Sequence, residues 1–257
     1  MDKLKIIFRS DRERIEEDLH FFLFTDNYFK EDFLDQIAQE YPKLHKDLAG
    51  RSDQEGKKIL GQYLDKFYQD KKDNLLNSLN SAKDIWKPIE QEVGEILSDQ
   101  FKTDWGGVSD LTAVVGITET CSRDLDAKIF QFFYLQYPFQ AVATILHEIT
   151  HFIYFKKWSE LFPQDHHDTK EAPHKYWHLS EILVSIFNSD ERLKSLVPDA
   201  DVYGHPEYRN MPSNQKLMNM SVHGFFEQKY LKFKLHGKGI EEYLEFCRSE
   251  IEELNFR

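Results

Sequence analysis

The first hundred residues show a helical spacing of apolar positions. Apolar side chains recur every three or four residues in two runs, namely Ile15, Leu19, Phe22 and Leu23, and then Phe33, Ile37 and Tyr41. Across residues 53–99 the same spacing predicts one or two long helices, and Pro88 should kink or divide the second of them. We therefore expect the N-terminal third to be helical.

The pattern changes after Trp105-Gly106-Gly107. Residues 111–117 form a short β-branched run, which is typical of a buried strand. Residues 121–126 are polar and predict a turn, and residues 127–135 predict a second strand. Pro138 then occupies a position suited to the first turn of a helix.

The remainder of the chain returns to helical patterns. Residues 139–157 predict the clearest helix of the protein and residues 178–187 another, whereas residues 197–213 are rich in proline and predict loops. Two closing helices are expected at residues 215–234 and 239–254. Helices, a small mixed sheet and then helices give an α+β fold. We divide it into an N-terminal helical region, residues 1–104, and a catalytic region, residues 105–257, or one continuous domain.

Composition narrows the possible partners. The chain has 257 residues and a formal net charge of −12, which disfavours binding to phosphate backbones, so we expect no nucleic-acid partner. Its two cysteines form no CxxC pair or disulfide framework. The N-terminal apolar run is too short for a signal peptide, and no stretch is long enough to cross a bilayer. We expect a cytoplasmic protein without a membrane partner, and the oligomeric state is open.

The predicted helix at 139–157 contains the sequence His147-Glu148-Ile149-Thr150-His151. Two histidines four residues apart lie on one helix face, so both imidazoles can bind one ion, for which zinc is suited. A glutamate beside the first histidine can serve as general base toward an attacking water. The flanking residues are apolar, and buried histidine and glutamate need partners. The pattern predicts Zn²⁺ bound by His147 and His151, with Glu148 as catalytic base.

A catalytic zinc site needs a third protein ligand. Glu181 is the best candidate because it lies within the apolar residues of the next predicted helix, where an unpaired carboxylate is costly. The alternatives left open are His178, Asp165, His166, His167, Glu171 and His174.

HEITH followed by a glutamate on the next helix resembles the gluzincin branch of the zincin metallopeptidases, the thermolysin-like group, over residues 111–187. The resemblance implies an edge strand that pairs with extended substrate, matched by residues 127–135. It also implies zinc bound by His147, His151 and Glu181, with Glu148 as base. Many gluzincins carry an acidic residue shortly after the ligand glutamate, and here Ser185 occupies the position four residues later. The partners that orient the zinc histidines therefore remain unassigned.

Hydrolysis of a carbonyl also requires a donor for the oxyanion, and gluzincins use a histidine or tyrosine that follows the ligand helix. Tyr203 and His223 are the residues we assign as catalytic candidates. The wider set of candidates is Tyr203, His205, Tyr208, Arg209 and His223. His223 also fits a plain hydrogen-bonded core histidine.

Three functions compete on these observations. The first is a zinc peptidase that acts on a peptide or protein substrate. The second is a catalytically inactive zincin-like binding or regulatory protein, which the intact Glu148 disfavours. The third is a helical interaction protein with a chance motif.

Cys121 as a third ligand would resemble peptide deformylases. Its neighbourhood, TETCSRD, does not match their motif, and an inert small side chain is the simpler interpretation.

Overall fold

A computed structural model describes residues 2–166, 170–198, 207–210 and 220–254. Within these residues the fold is mixed α+β, with a predominance of helix and one small sheet of four strands, which confirms the predicted fold class at this level. None of the helices described is long and apolar enough to cross a membrane.

The sheet is mixed. Its strands are β1 (Lys5–Arg9), β2 (Asp110–Gly116), β3 (Arg123–Asp124) and β4 (Ile129–Phe133), in the spatial order β1-β2-β4-β3. β2 and β4 are parallel, from Thr112 opposite Ile129 to Gly116 opposite Phe133. A side chain at Gly116 would clash, because a Cβ there would lie 2.6 Å from the Gln131 side-chain oxygen.

Eleven helices lie in the described part of the chain. Their bounds are α1 (Arg12–Phe24), α2 (Lys30–Glu40), α3 (Pro42–Leu48), α4 (Asp53–Asp70), α5 (Lys72–Phe101), α6 (Pro138–Leu161), α7 (Lys175–Asn188), α8 (Glu191–Leu196), α9 (Glu207–Asn210), α10 (Val222–Leu235) and α11 (Ile240–Ile251). Local signals explain several starts. Asp11 caps α1, a capping box of Ser52 and Glu55 begins α4, and Pro138 opens α6.

The prediction for residues 53–99 was partly wrong. Two long helices form, as expected, but they are separated at Lys71, and α5 continues through Pro88. The first strand, β1, was not predicted either. A run of five residues is too short to show a clear alternation of apolar and polar positions. A strand of this length forms because it pairs with a strand elsewhere in the chain.

The strand predicted at residues 127–135 forms as β4, but its expected position at the sheet edge is wrong. β3 pairs antiparallel with β4, with Arg123 opposite Phe130 and Asp124 opposite Ile129. The Asp124 carboxylate accepts a hydrogen bond from the Ala127 backbone N–H at 2.8 Å, which stabilises the turn between the strands. The polar residues that predicted only a turn therefore also contain a two-residue strand.

The chain divides into two compact units. The first comprises Met1–Lys5, Pro88–Asp110 and Val142–Arg257, and the second comprises Ile6–Lys87 and Leu111–Ala141. The first unit contains α7 to α11 and the HEITH part of α6. The second contains α1 to α4 and most of the sheet. The division of the chain at residues 104 and 105 stays a prediction.

Candidate metal centre

The HEITH sequence lies in a helix that is buried on every side. All residues from 141 to 155 of α6 are buried, so the helix lacks the solvated face of an ordinary amphipathic helix. His147 is 6% exposed, Glu148 5% and His151 0%. Three ionisable side chains in such surroundings require polar partners.

The second helix of the site, α7, is buried to the same extent. Residues 176–188 are all buried, and Glu181 is 4% exposed. The side chain of His174 caps the N-terminus of the helix by accepting a hydrogen bond from the Tyr176 backbone N–H at 3.1 Å. The Thr150 hydroxyl, within HEITH, lies 2.9 Å from the Asn188 side-chain oxygen, which gives α6 and α7 a further polar contact.

Four potential ligand atoms, from three side chains, meet between these helices. His147 Nε2 lies 3.3 Å from Glu181 Oε2, His151 Nε2 lies 3.4 Å from Glu181 Oε1, and the two Nε2 atoms are 3.0 Å apart. Among the described residues, these three side chains form the one group of histidine, cysteine or carboxylate residues close enough to bind a metal ion together. The expected set of His147, His151 and Glu181 is therefore brought together.

The spacing of these side chains is compatible with a bound metal ion. Ligands at about 2.0–2.1 Å from zinc, at the tetrahedral angle, are separated from one another by roughly 3.3 Å. A charge-assisted hydrogen bond from imidazole to carboxylate would be shorter, at about 2.7–2.9 Å. The facing Nε2 atoms could bond directly only if one of them carried a proton. Acceptor atoms directed at one shared ion are compatible with these distances.

The alternative third ligands that are described have other roles or positions. Asp165 accepts a hydrogen bond from Trp158 Nε1 at 3.0 Å and pairs with Arg248 at 2.8 Å. His174 is the cap of α7, and His178 Nδ1 lies 2.5 Å from the Tyr208 hydroxyl. His166 and Glu171 are exposed, and His167 lies outside the described residues. Cys121 is half-buried, and its thiol contacts the Glu119 carbonyl oxygen at 3.4 Å.

Ser185, four residues after Glu181, contacts a catalytic candidate. Its hydroxyl donates to the Ile182 carbonyl oxygen at 2.9 Å and lies 3.0 Å from His223 Nε2. A hydroxyl has a single hydrogen, so His223 Nε2 must be the donor in this second bond. No local pattern in the sequence predicts this contact, because it joins α7 to the start of α10.

Only two of the four remaining oxyanion candidates lie within the described residues. Tyr203 and His205 lie outside the described residues. Tyr208 is 3% exposed and held by His178, while Arg209 is exposed. His147 Nδ1 is buried and has no hydrogen-bond partner within the described part of the chain. No outer partner of this ring is therefore assigned.

Comparisons with known proteins identify no relative of the chain. No family model matches the chain, and no curated protein or solved structure is significantly similar to it. The geometry of the His147, His151 and Glu181 cluster is thus what any functional assignment depends on.

Proposed function

We propose that the chain is a zinc-dependent hydrolase of peptide bonds with a gluzincin-like site. The observation that supports this most strongly is the buried cluster of His147, His151 and Glu181. Its two Nε2 atoms lie 3.0 Å apart, and they lie 3.3 and 3.4 Å from different oxygens of the Glu181 carboxylate. In the proposal these three residues hold the zinc, and Glu148 is the general base. The catalytic region would be residues 105–257.

A zinc ion held there would polarise a substrate carbonyl and favour ionisation of water. The chain itself would supply the other functions. Glu148 follows His147 on α6 and is 5% exposed, and in the proposal its carboxylate accepts the proton of the attacking water and passes it to the leaving amine. The apolar surroundings of α6 strengthen electrostatic interactions by lowering the local dielectric.

Oxyanion stabilisation is assigned in the proposal to Tyr203 or His223. His223 Nε2 carries a hydrogen, as its contact with Ser185 requires, and in the proposal this hydrogen turns from Ser185 to the oxyanion of the tetrahedral intermediate. We further propose a peptide or protein substrate in the cytoplasm, without a nucleic-acid or membrane partner. The net charge of −12 supports the absence of a nucleic-acid partner.

A second candidate function is a catalytically inactive zincin-like protein that binds or regulates a partner. One observation favours it. The strand before the HEITH helix, β4, is paired with β3 at Ile129 and Phe130, whereas gluzincins use an edge strand at this point to pair with extended substrate. The retention of Glu148 in a buried position favours the enzyme.

The test combines metal analysis with cleavage of a peptide library. We expect about one zinc per chain and cleavage that a chelator abolishes. The Glu148→Gln variant should keep its zinc but lose roughly 10²- to 10⁴-fold in rate, the usual contribution of general acid–base catalysis. The matched control is Glu160→Gln, on the same helix, where the carboxylate contacts Lys156 and Thr103. It should retain the wild-type rate.

The outcomes separate the candidates. A zinc-loaded protein that cleaves nothing in the library supports the inactive binding protein. A Glu148→Gln variant with full activity contradicts the assigned base. Iron in place of zinc would contradict the proposed metal, since two histidines and a carboxylate also suit iron.

A further inference from the structure

A cavity in the second unit has a chemistry distinct from that of the metal centre. Its volume is about 360 Å³, enough for a small organic group. Its lining includes the carboxylates of Glu40 and Glu119. It also includes the aromatic and aliphatic side chains of Tyr41, Phe133, Tyr134 and Leu135. Two glutamines complete the lining, and none of the lining side chains is basic.

The cavity lies where two parallel strands end. β2 ends at Gly116 and leads to Glu119, and β4 ends at Phe133 and leads to Tyr134 and Leu135. The carboxyl ends of neighbouring parallel strands are a common position for ligand sites in open sheets. The position therefore suits a binding site, and the side chains determine which ligand it takes.

Hydrogen bonds hold Glu40 in place at the end of α2. The Thr120 hydroxyl donates to the Gln36 side-chain oxygen at 2.7 Å, and the Gln36 amide nitrogen donates to Glu40 Oε1 at 2.8 Å. Gln36 thus links the β2–β3 connection, which carries Glu119, to the carboxylate of Glu40. This arrangement keeps two like charges on the wall of one cavity.

Within the described residues, Glu40 and Glu119 form no salt bridge with a lysine, arginine or histidine. Burial raises the pKa of Glu40, and the charge of Glu119 raises it further, against the opposing effect of the Gln36 hydrogen bond. Two uncompensated carboxylates in one cavity favour a cationic ligand.

Contacts hold two aromatic side chains of the lining in place. Tyr41 and Tyr134 both pack edge-on against Phe67, with ring centroids 6.0 and 5.7 Å apart. The Tyr41 hydroxyl also donates a hydrogen bond to the Ile117 carbonyl oxygen. Fixed aromatic faces attract cations and bury alkyl chains.

We propose that this cavity binds an alkyl ammonium or alkyl guanidinium group, with the charged end at Glu40 and Glu119 and the alkyl stem over Tyr41, Tyr134 and Leu135. Such a group occurs on a small free amine and on a lysine or arginine side chain of a peptide. The proposal does not depend on the zinc site or on hydrolysis, so it can be tested in metal-free protein.

The test is an NMR titration of the full chain with n-butylammonium, with 1-butanol as the neutral analogue of similar size. We expect saturable shifts confined to the cavity residues with the cation, and at least about tenfold weaker binding of the alcohol. The Glu40→Gln/Glu119→Gln double variant should lose about tenfold or more in affinity for the cation. The control Glu31→Gln, an exposed glutamate on the same helix, should bind within about twofold of wild type.

A second measurement guards against a misfolded variant. Relief of the repulsion between the two carboxylates should raise the melting temperature of the ligand-free double variant by about 2 °C. Equal binding of cation and alcohol, undiminished cation binding by the folded double variant, or no binding in the cavity would overturn the proposal.

A further arm identifies the source of the ligand. The peptide acetyl-Gly-Lys-Gly-amide is titrated beside acetyl-Gly-norleucine-Gly-amide, which has a neutral side chain of similar length. If the lysine peptide binds more tightly than n-butylammonium, the ligand is a peptide side chain. If it binds more weakly while the amine still binds, the ligand is a small free amine.

Discussion

Two enclosed carboxylates, Asp18 in the second unit and Glu181 in the first, are satisfied in different ways. Asp18 pairs with Arg14 at 3.0 Å, accepts a hydrogen bond from the Ser122 hydroxyl at 2.8 Å, and accepts another from the Gln131 amide. A permanent cation and two donors surround it at bonding distance. This is the arrangement of a structural polar cluster.

Glu181 faces two imidazole nitrogens instead, at 3.3 and 3.4 Å. An imidazole carries charge only when protonated, and these distances exceed those of a charge-assisted hydrogen bond. The two clusters show that burial of a carboxylate alone does not indicate a metal site. The difference lies in whether the chain supplies a fixed cation or converging acceptor atoms.

The largest effect that separates the two clusters is expected from His147→Ala. Removing a residue that only hydrogen-bonds to a metal ligand lowers metal affinity by up to about 100-fold. Loss of one of the three ligands themselves should therefore lower zinc affinity by more than about 100-fold. Asp18→Asn, the control in the other cluster, should bind zinc within about twofold of wild type. Calorimetric titration with zinc measures both. Equal affinities for His147→Ala and wild type would remove the distinction between the clusters.

A smaller effect should follow from Arg14→Met, which removes the fixed cation. We expect a loss of about 2 kcal/mol in the free energy of unfolding, below the 3–5 kcal/mol of a fully buried pair because both partners retain some exposure. In Arg9→Met the pair with Asp11 is more exposed, and the loss should stay below about 1 kcal/mol. Urea unfolding of the metal-free chains gives both values. A loss as small in Arg14→Met as in Arg9→Met would contradict a supporting role for the Arg14 cation.

The candidate metal cluster was accessible to sequence reasoning because its signals are local. The spacing of His147 and His151 places both on one helix face, and Glu181 is a carboxylate within an apolar helical run. Each signal is contained in one helix. Burial of apolar side chains brings α6 and α7 together, and the apolar residues of both helices are evident in the sequence.

Other features depend on contacts between distant parts of the chain. The pairing of β3 with β4 joins residues 5 and 7 positions apart, the contact of Ser185 with His223 spans 38 positions, and that of Asp18 with Gln131 spans 113. The spacing of apolar residues along the chain does not predict such contacts. The expected division of the second long helix at Pro88 failed for another reason. Pro88 was the strongest local signal, yet α5 continues through it, and tertiary packing often overrides local preference.

The smallest effect concerns pH and tests whether Arg14 fully compensates Asp18. Burial raises the pKa of Asp18 above its ordinary 3.8, and the opposing effects of Arg14, Ser122 and Gln131 do not cancel it. The folded state therefore holds this proton more tightly than the unfolded state. The stability it contributes is present below pH 3.8 and is lost as the pH rises through the folded-state pKa. Asp18→Asn removes this contribution, so the unfolding free energy of wild type minus that of the variant should fall as the pH rises through this range. Urea unfolding at a series of pH values measures the difference, and other carboxylates cancel because they are common to both chains. A difference that rises with pH would mean that Arg14 and the two donors outweigh burial, so that Asp18 is more fully compensated than its enclosure implies.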